Sequence, residues 1–135
     1  MKYLVDTNVL SEAMKPLPNT GVIQWLRAHE QELTVNPIVL GEIRTGISML
    51  PAGRKRRDLE QWFGRGVASI ACLAMDAQTG LLWAALVVRL RHKGTSMPLK
   101  DSLIAASALQ HGLTMVTRNM EDFKTSGVKV LNPFS

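Results

Sequence analysis

The stretch KYLVDTNVL, Lys2 to Leu10, decides how the rest of the chain is read. Three residues suited to a buried strand, Tyr3, Leu4 and Val5, run directly into Asp6, and apolar residues resume after Thr7 and Asn8. In parallel α/β sheets, ligands bind outside the carboxyl ends of the strands, so a carboxylate at this point faces a potential site. A plainer reading makes Asp6 or Asn8 a cap that accepts backbone N–H bonds from the next short helix.

Working outward, strand and helix signals alternate to the end of the chain. A strand at 2–6 precedes a short helix at 8–14 that KPLP stops. Asn19 or Thr20 caps a helix through GVIQWLRAHEQE, and LTV at 33–35 is a short strand. Asn36 followed by Pro37 is a good cap and first-turn pair, opening a helix that runs to Leu50 and ends at Pro51 and Gly53. A basic helix at 54–68 and a strand SIACL at 69–73 follow. Asp76 caps a long helix ending at Gly94, and PLKDSLIAASALQHG is another, with Gly112 just past its end. LTMVT (113–117) and VKVL (128–131) read as strands with RNMEDFKTSG between them. Strands separated by helices, without a repeat or linker, predict a single domain over 1–135, a three-layer α/β/α sandwich with a mostly parallel sheet.

A chain of 135 residues, 46% hydrophobic and 20% charged, is long enough to bury one substantial core. Its single cysteine, Cys72, allows no internal disulfide, which fits a reducing cytoplasm, and its place in a strand predicts a small core residue. No signal peptide is expected, because Asp6 interrupts the first apolar stretch. The most apolar run, LLWAALVV (Leu81 to Val88), is too short to span a bilayer and reads as a core helix. Sixteen Lys and Arg against eleven Asp and Glu give a net charge of +5, concentrated in GRKRRD (53–58) and RLRHK (89–93). Such a surface attracts polyanions, chiefly nucleic acid, or is simply solvated.

Among the acidic residues, Glu30, Glu32, Asp58, Glu60 and Glu121 have polar neighbours, Glu12 lies near Lys15, and Asp76 is a cap. Four remain. Asp6 ends the first strand. Glu42 has Ile38, Val39 and Gly46 at three and four positions' distance, which puts it on or beside a buried helix face. Asp101 is in the first turn of a helix, where the dipole alone would favour a carboxylate. Asp122 follows LTMVT in the loop RNMEDF, where turn and capping roles also suit Asn119 and Asp122. In a parallel sheet all four can converge on one cleft, and clustered carboxylates repel unless protons or cations compensate. The suited cation is Mg²⁺ or Mn²⁺, since the cysteine and histidine sets of zinc are missing. Beside basic surface, such a site suggests phosphodiester hydrolysis.

The motifs LVDTNVL, LGEIRTGI (40–47), KDSLIAASAL (100–109) and MVTRNMEDF (115–123), in that order, closely resemble the PIN-domain ribonucleases. Within them the chain is similar to the VapC or FitB-type toxins of bacterial type II toxin–antitoxin operons. The resemblance implies an α/β/α sandwich with Asp6, Glu42 and Asp101 as metal ligands and Asp122 as a fourth carboxylate, all in a catalytic Mg²⁺ or Mn²⁺ site. It implies supporting roles for Thr7, Asn8, Thr117 and Asn119. Asn119 stands where many relatives carry aspartate, which bears on the fourth ligand and on any second metal. The resemblance further implies an RNA substrate, a cognate antitoxin, operator DNA bound only through that antitoxin, a homodimer, and a bacterial cytoplasmic location without membrane attachment. Arg54, Lys55, Arg56 and Arg57 are candidates for contacting the RNA backbone.

Other readings compete. A non-catalytic nucleic-acid-binding module could use GRKRRD and keep the acidic pocket only as an antitoxin dock. A receiver-like phosphoacceptor domain needs an aspartate after a central strand and a lysine after a later one, which SIACLAMD and LTMVTRN do not supply. Cleavage by paired histidines needs two imidazoles in one cleft, whereas His92 and His111 both lie near helix ends. Trp25, Trp62 and Trp83 sit in amphipathic or apolar helices and read as core or dimer contacts.

Overall fold

In the computed structural model, which describes residues 1–135, Tyr3–Val5 forms strand β1 with all three side chains buried. Strands β2 (Leu33–Val35), β3 (Ala71–Cys72), β4 (Thr114–Val116) and β5 (Val130–Leu131) join it in the order β3-β2-β1-β4-β5, every pair parallel. Seven helices flank the sheet in the α/β/α arrangement. They are α1 (Thr7–Glu12), α2 (Thr20–Ala28), α3 (Pro37–Ser48), α4 (Arg54–Arg65), α5 (Ala77–His92), α6 (Leu99–His111) and α7 (Met120–Lys124). The chain winds from β1 outward through β2 to β3, then returns to the far side of β1 for β4 and β5. Winding therefore reverses between β1 and β4, the place where such sheets open a crevice for ligands. Because Leu4 pairs with Thr34 and Val5 with Val116, the next residues along, Asn36, Asp6 and Thr117, form one row at the carboxyl edge.

Local chemistry starts the helices where the caps predict. Asn19 Oδ1 accepts the Val22 N–H at 3.2 Å and Asn36 Oδ1 accepts that of Val39 at 3.0 Å, opening α2 and α3. Asp76 and Thr79 bond reciprocally to open α5, side chain to N–H in both directions, at 3.1 and 3.0 Å. Gly112 closes α6 with φ 63°, a left-handed geometry that costs a glycine nothing. Leu4, Val5, Val35, Met115 and Val116 from the three central strands are wholly buried, together with Ile43 and Ile47 of α3 and Ile104 of α6. Each such side chain contributes about 1.5–3 kcal/mol of hydrophobic stabilisation.

Four expectations are corrected. The strand predicted over 69–73 shrinks to β3, Ala71–Cys72, because Val67–Ser69 forms a 3-10 turn. As an edge strand β3 pairs only with β2, and Cys72 is exposed rather than in the core; Leu73 is the buried residue. The run Leu81–Val88 is helical but not a core helix throughout. Leu86 is buried, whereas Leu81 and Val88 are 68% and 51% exposed, since a helix packed on α6 along one side leaves its other side to solvent. Finally, Asp122 lies in a helix rather than a loop: α7 is pinned by Phe123, which is wholly buried.

Candidate active site at the carboxyl edge of the sheet

Asp6 is only 4% exposed, a costly setting for a charge, and three donors converge on it. The Thr7 N–H reaches Oδ1 at 2.8 Å. The Thr117 hydroxyl and the Asn8 amide reach Oδ2 at 2.8 and 3.2 Å. Burial nevertheless raises its pKa, with Glu42 adding to the shift, so desolvation outweighs these bonds. Asn8 also donates to Thr117 Oγ1 and accepts the N–H of Arg118 at 3.1 Å. This network joins the end of β1 to the end of β4 and fixes the Asp6 side chain between them.

Glu42 comes from α3, half-buried, and its Oε1 accepts the Thr7 hydroxyl at 2.7 Å. Thr7 therefore connects two carboxylates, Asp6 through its backbone and Glu42 through its side chain. Asp101 enters from the first turn of α6, a helix that packs on α3. Its pKa is pushed up to about 6 by burial and by the charges of Asp6, Glu42 and Asp122. Those influences bring all four predicted carboxylates into one electrostatic neighbourhood. Asp122 stands in the first turn of α7, following β4. The carboxylates of Asp101 and Asp122 accept no hydrogen bond from the protein and remain open to an outside ligand.

No lysine or arginine forms an ion pair with any of the four; the ion pairs of the fold use Glu12, Glu60 and Glu121. The donor set is oxygen only, with no thiolate or imidazole, which suits Mg²⁺ or Mn²⁺ and not zinc. No three acidic or histidine side chains are already gathered into a coordination shell. A cation held by these residues would therefore have to draw the side chains together on arrival, offsetting their mutual repulsion.

The other candidates divide. Thr7, Asn8 and Thr117 touch the carboxylates directly. Asn119 bonds to Thr117 through its backbone N–H at 3.0 Å, and its side chain makes no hydrogen bond. Among the basic residues, Arg56 is held within the fold by Glu60 and the Leu50 carbonyl, while Arg54, Lys55 and Arg57 are exposed at the start of α4. Two residues at the carboxyl edge escape a reading by motif. Asn36, read only as a cap, stands in the row beside Asp6, and its Nδ2 is a buried donor without a partner. Arg118 follows Thr117 at the end of β4. Position at the end of a central strand, the signal that singles out Asp6, applies equally to both.

Across residues 3–126 the chain matches the PIN domain. It is 32% identical to the plasmid stability protein StbB of Pseudomonas syringae pv. tomato, over 97% of each chain. It is 30% identical to toxin FitB of Neisseria gonorrhoeae over 97% of each chain, and 30% identical to VapC ribonuclease Y4jK of Sinorhizobium fredii over 97% of this chain and 96% of that one. Its structure superposes on that of FitAB bound to an IR36 DNA fragment with a TM-score of 0.92 and 29% identity, covering 98% of this chain and 96% of the other. A parallel sheet in the order β3-β2-β1-β4-β5, with Asp6 at its carboxyl edge, and a match over nearly the whole length lead to one assignment: the chain belongs to the PIN domain family.

Proposed function

We propose that this protein is a Mg²⁺- or Mn²⁺-dependent endoribonuclease that serves as the toxin of a bacterial type II toxin–antitoxin pair. One observation carries the reading: the charges of Asp6, Glu42 and Asp122 all bear on Asp101, and none of the four carboxylates is paired with a cation from the protein. Relatives named as a VapC ribonuclease and as a toxin support the choice of RNA and of the cellular role. A bound cation would supply polarisation of a phosphoryl oxygen and acidification of a water. Asp6 and Glu42 would hold it from fixed positions, because Thr117, Asn8 and Thr7 restrict their rotamers. Asp101 and Asp122, without protein donors, would complete the oxygen set.

The partners that go with this reading are an RNA substrate, an antitoxin that occupies the toxin, operator DNA engaged through the antitoxin, and a second copy of the chain. No helix is long and apolar enough to cross a membrane, and the location proposed is the cytoplasm.

Cleavage of total cellular RNA by the purified protein, with Mn²⁺ or Mg²⁺ and with chelator, tests the proposal beside Asp6→Asn. Metal-dependent fragments that the variant does not produce are expected. Equal fragments from the variant, or none from the wild type despite metal binding, would overturn it.

A further inference from the structure

A polyanion approaching four carboxylates is repelled, and a metal site counters that repulsion only at the reacting phosphate. An RNA held there needs a second cation at a neighbouring phosphate. Arg118 has the required properties. It is exposed, follows Thr117 directly, and its N–H is fixed by Asn8 Oδ1, the same Asn8 whose amide holds Asp6. It takes part in no ion pair. Glu12, on which the Arg118 charge acts, is already occupied by Lys15 and the Asn19 N–H, both at 2.9 Å.

The guanidinium is also held in place. Its centre lies 4.7 Å from the Phe134 ring, so the chain's final residues serve as its platform. That segment is itself fastened: Ser135 N and Oγ donate to Asn19 Oδ1 at 3.2 and 3.1 Å, and Asn19 Nδ2 donates back to the Ser135 carbonyl. Gly21 lets it lie close, for a Cβ there would come within 2.8 Å of the Pro133 carbonyl. Arg118 opens onto a recess of about 300 Å³ shared with Asn119, Met120, Glu121, Asp122 and Asn132, in which Glu121 is paired with Lys124 at 3.5 Å and turned to solvent. Asn119 brings an amide with no protein partner, and Asn132, whose Oδ1 accepts the Phe134 N–H, keeps its amide N–H₂ free. Asp122 lines this recess, and Asn8, bonded to both Asp6 and the Arg118 N–H, ties it to the carboxylate group.

We infer that Arg118, steadied on Phe134 and joined by Asn119 and Asn132, forms a subsite for the backbone phosphate of a nucleotide flanking the scissile bond in single-stranded RNA. The inference rests on the nuclease reading above. Nothing comparable is built at Arg54, Lys55 and Arg57, which are exposed at the start of α4 and lie outside this recess.

The test is fluorescence anisotropy of a labelled pool of short random single-stranded RNA with the full chain, in Mg²⁺, over a range of KCl concentrations. An Asp101→Asn background prevents turnover, and metal-dependent cleavage by the wild type is measured alongside. Adding Arg118→Ala should weaken binding about five- to tenfold and make the log–log salt dependence shallower by about 0.7, the loss of one phosphate contact. Arg118→Lys should keep the slope and recover part of the affinity, and Phe134→Leu should weaken binding without changing the slope. Mn²⁺ affinity, measured by calorimetry in the wild-type background, should not move with Arg118→Ala. Equal affinity and slope for the Arg118→Ala protein and its parent, with the wild type still cleaving, would overturn the subsite and leave the nuclease reading standing. An RNA pool that neither binds the parent nor is cut by the wild type would overturn both.

Discussion

At Asp101, partial burial and the charges of Asp6, Glu42 and Asp122 all act in one direction, raising its pKa to about 6. An unfolded chain ionises the same group near the ordinary aspartate value, so the folded state binds the proton more tightly. The associated stability is therefore present below about pH 4 and lost as the pH rises towards 6. Its size is about 1 kcal/mol once discounted for the half of the side chain that faces water. In chelator, the melting temperature should rise as the pH falls from neutrality towards 5, and Asp101→Asn should flatten that rise and melt higher than wild type at neutral pH. Saturating Mg²⁺ should reverse the order, since it stabilises the native cluster and not the unfolded chain. A variant that melts lower than wild type in chelator would refute this account. Thr7 makes a second case. Its hydroxyl is the only donor to Glu42, so Thr7→Val should leave the fold intact and lower Mn²⁺ affinity about 10- to 100-fold by calorimetry; unchanged affinity would show that Glu42 needs no positioning. In the sequence only Asp6 and Glu42 stand in settings unusual for a surface carboxylate; Asp101 and Asp122 have ordinary helix-dipole and turn roles, and become candidates through the pattern that the four make together. Arg118 and Asn36 are not legible there, since an exposed arginine and a helix cap look ordinary until the sheet sets them beside Asp6.

Among the elements, α5 shows how a local signal can hold a tertiary joint. Asp76 Oδ1 accepts the Thr79 N–H and also the Gln110 amide from the far end of α6, at 3.1 and 3.0 Å. Asp76→Ala should lower the melting temperature by about 3–6 °C, more than an isolated cap loss, and Gln110→Ala should lose part of the same increment. Equal melting of Asp76→Ala and wild type would mean that the joint contributes nothing. The Thr79 N–H and the Gln110 amide hold the Asp76 carboxyl below its usual range, so its contribution is present above that range and lost as the pH falls through the lowered value. Difference melts between wild type and Asp76→Ala should therefore narrow only in strong acid. Caps at Asn19, Asn36 and Asp76 and the stop at Gly112 are readable because each is decided within four residues. The edge strand is not. Whether SIACL pairs along its length depends on β2, a neighbour far away in the chain, and pairing on one side alone leaves Cys72 in solvent.

For the whole molecule, the same limit governs the outward side of α5. Leu81, Ala84, Ala85 and Val88 are all exposed and recur at the spacing of one helix face. The run reads as core because composition alone cannot tell a face buried in its own fold from one left for another chain. The stripe is nearly symmetric about the midpoint of α5, between Ala84 and Ala85. A two-fold axis there would lay two α5 helices antiparallel, the alanines allowing close approach and Leu81 of one copy meeting Val88 of the other. It would also set the acidic Asp76 end of each helix against the basic Arg91–Lys93 end of its mate, matching both charge and helix dipole. The homodimer proposed for this protein should therefore form on α5. In sedimentation equilibrium the wild type should be dimeric, and Leu81→Lys should be monomeric with an unchanged helical spectrum, because Leu81 supports no part of its own core. Val88→Lys should act in the same way, through the opposite end of the same contact. A monomeric wild type would remove the dimer altogether, and a dimer indifferent to both lysines would move it to another face.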